Sequence, residues 1–350
     1  MRSINVQIHS KSLTIVLLAF FLTFFSSCSN NDDKSSFNQN TLDDAYAAAA
    51  NVTGLKSLLI NYRGELVGED YFGVDIQNTL YNVRSVTKSI VSILIGIAIE
   101  NGLLPETNLL VSDGLSAFPY IYEGGKDELT IEHLLTMSSG FEWNEMGGNE
   151  YGQWMQSQNK INYVLDKPLI NAPGAIFNYN SGTSHLLSVI LTDAVGESAF
   201  DYAKNNLFDP LGIENVAWRI IGAEYYNGGS DLMLTARDLV KIGTLYLNLG
   251  SFEGNQIVSR NWVNRSISSK IYTGRNYYGS EYGYLWWLED IRGEGCFYAM
   301  GYGGQFLFVF PEKELIIVAT SNSSTSGDAA DQQWLRVYDF IAEQVLSAFL

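Results

Sequence analysis

The chain has 350 residues, 46% apolar and 17% charged, so it can bury a sizeable core and is too long for a small binding module. Its net charge of −17 excludes the basic surface by which proteins displace counterions from nucleic-acid phosphates. Two Cys and three His exclude a disulfide scaffold and a His/Cys-rich zinc site, and no metal or organic cofactor is implied.

Arg2 and Lys11 precede an apolar run, Leu13 to Phe25, and Ser26, Ser27 and Cys28 follow it. A basic start, a short apolar stretch and small residues before a cleavage point describe a secretory signal over residues 1–27. The run falls short of the ~20 residues that span a hydrocarbon core. Cys28 after two small residues resembles a bacterial lipobox, with Phe25 where an aliphatic residue is usual. The expectation is an exported lipoprotein, periplasmic or on the outer-membrane surface, held to the membrane through its lipid alone. Residues 28–40, with the polar string SNNDDKSS, read as a lipidated flexible tether. With Cys28 lipidated, Cys296 is the only thiol left and no internal disulfide can form.

The folded part is read as residues 41–350. Residues 42–50 (LDDAYAAAA) read as a helix, and 55–73 alternate apolar and polar residues around Arg63-Gly64 as a β-hairpin does. Residues 85–99 are apolar nearly all round, which predicts a helix buried on every face. A mostly helical stretch over about 100–275 holds five of the six Pro. Four strands follow, at 282–290, 296–303, 305–311 and 314–322, and 331–350 close with helical spacing. The expected fold is α+β: an antiparallel sheet from about 41–84 and 276–350, flanked by terminal helices, with a helical domain inserted.

No G-x-S-x-G elbow and no H-E-x-x-H string occurs. His133 and His185 sit among apolar helical neighbours and read as structural. The pattern S-x-x-K occurs twice, at Ser85–Lys88 and Ser157–Lys160. On a helix, Ser and Lys one turn apart share a face, and the helix N-terminus favours a developing anion there. Ser85 opens the most apolar helix, where desolvation lowers the pKa of Lys88. Ser157 lies in a polar stretch that predicts a hydrated, fully charged Lys160. Ser85 is therefore the candidate nucleophile.

The string YNVRSVTKSIVSILIGIAIENGLL resembles the active-site helix of the serine β-lactamase and penicillin-binding-protein superfamily, in its class C-like branch. TIEHLLTMSSGFEW, PGAIFNYNSGTSHLL, GGSDLMLTARDLVKIGTLYLNLG, YGYLWW and MGYGGQFLFVFPEKELIIV resemble further family segments, in order, from about residue 45 to 345. The resemblance implies Ser85 as acylated nucleophile, Lys88 as activating amine and Tyr179 as proton shuttle. It also implies an oxyanion hole from the backbone N–H groups of Ser85 and Gln305, with substrate lying along Tyr302, Gly303 and Gly304.

Two departures bear on function. Tyr302 stands where a Lys or His is common, and Ser181 replaces the Asn of the family's Y-x-N triplet. Both remove groups that grip a β-lactam. The expected activity is hydrolysis of a small-molecule ester or amide, including peptide-like ones, as in family esterases and 6-aminohexanoate-dimer hydrolases. The alternatives are a non-catalytic, penicillin-recognising lipoprotein and a cell-wall D,D-peptidase. Tyr282, Tyr284, Trp286, Trp287 and Tyr302 are candidate pocket residues, of which strand alternation sends about half inward.

Overall fold

The computed structural model describes residues 37–222 and 224–350, so the signal segment and Cys28 lie outside the described residues. Helix α1 (Gln39–Ala49) starts within the stretch read as tether, because the Asn38 side chain accepts the Thr41 N–H at 3.1 Å and caps it. It buries Leu42, Ala45 and Ala49 on one stripe. Strands β1 (Leu55–Tyr62) and β2 (Glu65–Tyr71) form the expected hairpin. Arg63 (φ 51°) and Gly64 (φ 81°) both turn left-handed, the geometry that matches strand twist in a two-residue loop.

The remaining strands come from the other end of the chain. They are β3 (Ile271–Tyr272), β4 (Glu281–Tyr282), β5 (Trp287–Ile291), β6 (Glu294–Gly301), β7 (Gln305–Phe310) and β8 (Leu315–Ser321). Together they form one eight-stranded antiparallel sheet, ordered β3-β4-β5-β6-β7-β8-β1-β2. The stretch 282–290, read as one strand, is broken between β4 and β5. Gly283 lies where an added Cβ would sit 2.1 Å from the Ser266 carbonyl, and Leu285 (φ 62°) turns to donate its N–H to Leu135 at 2.9 Å.

Helix α2 (Val86–Glu100) is buried from Val86 to Ala98, as its all-round apolar sequence predicts. The insert contributes α3 (Ile131–Leu135), α4 (Glu150–Gln156), α5 (Lys160–Leu165), α6 (Ser181–Val195) and α7 (Ala236–Leu247). Short strands also occur, one before α2 and others inside the stretch read as helical. The segments Tyr81–Asn82, Ala217–Trp218 and Leu232–Leu234 form a small sheet beside the start of α2. Strands of two or three residues are too short to leave a period in the sequence. On one face of the large sheet, Phe306 and Phe308 pack against Trp334 and Tyr338 of the closing helix α8 (Asp328–Phe340). On the other, α7 packs so closely that a Cβ on Gly243 would meet Ile316 and Leu307 within 3 Å. Cys296 is buried and free.

Candidate active site

Ser85 occupies the position before α2 and makes no side-chain capping bond, which leaves its hydroxyl available. The Lys88 ammonium, one turn on, donates to Ser85 Oγ at 2.9 Å and to the Gly229 carbonyl at 2.6 Å. Lys88 is 1% exposed. Burial pushes its pKa down to about 8, against the opposing pull of Glu145 and Asp231. Arg84, just before the nucleophile, is held at φ 52°, a region costly for a residue with a Cβ. The Asn82 side chain accepts its N–H at 2.9 Å, the Thr87 hydroxyl donates to its carbonyl at 2.6 Å, and its guanidinium reaches the Ser323 carbonyl.

Tyr179 comes to the same place from the turn before α6. The Ser85 side chain acts on its phenol, and Lys88 Nζ lies 4.8 Å from its ring centre. Burial, with Glu145 adding to it, raises the phenol well above its ordinary value, so Tyr179 stays neutral. Its ring stacks on Trp287 at 5.7 Å, and Phe177 and Tyr282 pack edge-on against that indole. Arg275 lies over the same indole at 5.4 Å. Of the five candidate pocket aromatics, Tyr282 and Trp287 thus flank the site. Trp286 packs on Tyr246 at 4.4 Å, Tyr284 donates to Glu132 at 2.7 Å, and the Tyr302 hydroxyl points to the Gly327 carbonyl at 3.4 Å. Alternation did not put Trp286 in solvent, because α7 covers that side as well.

The segment implied for the oxyanion hole falls on two strands and the turn between them. Gln305 belongs to β7, its main chain stands opposite Gly301, and its buried side chain is paired at both ends with Ser321 at 3.0 Å. Strand β6 is the one that meets the nucleophile. A Cβ on Gly301 would lie 2.4 Å from the Val83 carbonyl and 3.0 Å from Arg84 Cβ, so only glycine permits this approach. Gly303 (φ 76°) and Gly304 (φ 92°) form the turn beyond, with the Gly303 carbonyl accepting from Gln333 at 2.6 Å. The main-chain donor that follows the close-approach glycine is the N–H of Tyr302. Pairing with β5 stops at Trp287↔Tyr298, which leaves one side of Ala299–Gly301 without a strand partner. Neither Ala299 nor Met300 supplies a cation there.

The second S-x-x-K is not on one helix. Ser157 ends α4 in extended conformation and Lys160 opens α5. Ser157 Oγ donates to the Trp154 carbonyl at 2.7 Å, while the Lys160 ammonium donates to the carbonyls of Met155 (3.0 Å) and Ser157 (2.5 Å). Contrary to the sequence reading, Lys160 is buried, and that burial lowers its pKa. Its Nζ is nonetheless spent on main-chain carbonyls. His133 completes the cap of α3, accepting the Thr130 N–H at 3.2 Å. His185 packs edge-on against Trp154 in the core, where burial pushes it down to about 3.

The sequence profile of the family described as Beta-lactamase matches residues 47–340. The chain belongs to the Beta-lactamase family. A curated relative, an uncharacterized protein of Alkalihalophilus pseudofirmus, is 22% identical over 76% of this chain and 83% of its own. A solved structure from Bacillus anthracis, assigned as a 6-aminohexanoate-dimer hydrolase, aligns with TM-score 0.70 at 20% identity, covering 88% of this chain and 81% of that one. EstCE1, described as a hydrolase with promiscuous acyltransferase activity, aligns with TM-score 0.66 at 18% identity, covering 86% and 97%. At these identities the structures share the fold. Family membership makes the chain one of the serine hydrolase superfamily.

Two participants were missed in the sequence. The Gly229 carbonyl that holds Lys88 lies in GGSDLML, a segment matched to the family without a role. Glu145 accepts the Ser181 N–H at 2.8 Å, the Ser181 hydroxyl at 2.5 Å and the Trp143 indole N–H at 2.9 Å. Ser181, expected to face substrate, is 1% exposed and its hydroxyl is committed to Glu145. A single acid after FEWN carries no spacing signal, so only the fold could reveal it.

Proposed function

We propose that this chain cleaves a small-molecule ester or amide through an acyl-enzyme on Ser85. The carrying observation is the buried Lys88 amine 2.9 Å from Ser85 Oγ. Neutral Lys88 takes the hydroxyl proton as Oγ bonds to the substrate's carbonyl carbon. The N–H groups of Ser85 and Tyr302 face the resulting oxyanion, the second in place of the expected Gln305. Tyr179 gives its proton to the leaving alcohol or amine as the old bond breaks and regains one through Lys88. Water then repeats the sequence and releases the acid. The absence of a cation at Ala299, Met300 or Tyr302 favours a neutral ester or amide over a β-lactam, whose carboxylate needs a charge-assisted contact.

Only the neutral amine is a base, so kcat/KM for a p-nitrophenyl ester should rise with pH and level off above about 8, the value burial gives Lys88. A profile flat from pH 6 to 9 would remove Lys88 from the role.

We further propose export and anchoring through a lipid on Cys28, supported by the Leu13–Phe25 run and the Ser26-Ser27-Cys28 sequence. Cells fed labelled palmitate should label the wild type, and Cys28→Ala should lose the label and shift to the soluble fraction. Unchanged membrane association in Cys28→Ala would contradict it.

A further inference from the structure

Glu145 lies outside the nucleophile–amine–phenol set, yet its contacts run into that set. Both its oxygens hold Ser181, two residues after Tyr179 on the same turn, and one also holds Trp143. Ser181 is the position where the family carries Asn, so here a serine and a remote carboxylate stand together in place of one amide. The charges facing the site from its packed elements are few. Lys88 faces Glu145 and Asp231, while Tyr179 faces Glu145, Arg275 and the phenols of Tyr151 and Tyr282. Asp231 is already answered, accepting from Asn82 at 3.1 Å and Asn227 at 3.0 Å with Arg219 at 3.9 Å. Glu145 forms no ion pair among the described residues, and its carboxylate acts on both Lys88 and Tyr179.

We propose that Glu145 is a positioning residue, which clamps the Tyr179–Asn180–Ser181 turn through Ser181 and keeps the proton on the Lys88–Tyr179 pair. This rests on the acyl-enzyme reading for its catalytic meaning. A carboxylate beside the pair favours ammonium over amine and phenol over phenolate. Burial alone would drive Lys88 lower still, and Glu145 opposes it. The charge thus keeps Tyr179 a donor to the leaving group, at the cost of less free amine near neutrality.

The test is ¹⁵N-lysine NMR of the full chain, reading the Lys88 titration in wild type, Glu145→Gln, Glu145→Asp and Ser181→Ala, with a thermal melt of each. Gln keeps an acceptor and a donor for Ser181 but loses the charge. In Glu145→Gln the titration should fall by about one pH unit, and the acid limb of Ser85 labelling by a fluorophosphonate should move with it. Glu145→Asp, which keeps the charge, should restore the wild-type titration. Ser181→Ala should leave the titration in place and slow labelling several-fold, since it loosens the clamp alone. A Lys88 titration unchanged in folded Glu145→Gln overturns the proposal. The lysine reading needs no turnover, so it judges Glu145 even where the acyl-enzyme reading fails.

Discussion

Ser85→Ala should abolish ester and amide hydrolysis, lowering kcat/KM by a factor on the order of 10⁴ or more. Three nearby hydroxyls are committed to other partners. Among the site's neighbours, Ser89 Oγ donates to Leu285, Ser181 Oγ to Glu145 and Thr87 Oγ1 to Arg84. The substitution should leave the fold intact, because Ser85 makes no capping bond and its hydroxyl accepts from Lys88. The measurement is steady-state hydrolysis beside a thermal melt. Hydrolysis surviving at wild-type rate in the folded variant would remove Ser85 from the chemistry.

Lys88→Met should be nearly as damaging to turnover, by roughly 10³-fold or more, since it removes the base and leaves the Ser85 hydroxyl at its ordinary reactivity. It should also make the protein more stable at neutral pH. Burial lowers the Lys88 pKa to about 8, so below that pH the folded chain carries a buried ammonium at a penalty of about 3 kcal/mol. A thioether of similar length carries no such penalty. It does forfeit the 2.6 Å bond to the Gly229 carbonyl, worth about 1–2 kcal/mol. The net expectation is a gain of about 1–2 kcal/mol at pH 7. The sign with pH follows. Between about 8 and the ordinary lysine value the unfolded chain binds the extra proton, so wild-type stability rises with pH there. The advantage of the Met variant should therefore shrink as pH climbs through that window. Denaturant unfolding from pH 7 to 10 checks it, and a variant less stable than wild type at pH 7 would show that Lys88 is not held against its solvation.

Strong local patterns made part of this legible in the sequence. Strand β1 and the all-apolar α2 are buried along nearly their whole length, and such burial shows as an apolar run in the sequence. Ser85 and Lys88 could be selected for the same reason, since the apolar helix that buries the lysine is visible as sequence. Other features depend on contacts between distant segments. Gly301 and Gln305 lie in one glycine-rich string, and only the approach of β6 to Val83 and Arg84 tells which residue meets the nucleophile. Lys160 looks hydrated by its neighbours in sequence, yet tertiary packing buries it. Glu145 and the Gly229 carbonyl act through side-chain and main-chain geometry set by segments 36 and 141 residues away.

The central claim, an activated Ser85, is tested most directly by treating the protein with a fluorophosphonate and mapping the modified peptide by mass spectrometry. The prediction is a single phosphonylated serine at Ser85, lost in Lys88→Met and slowed in Tyr179→Phe. Label on Ser157, or none on a protein whose melt shows it folded, would contradict it.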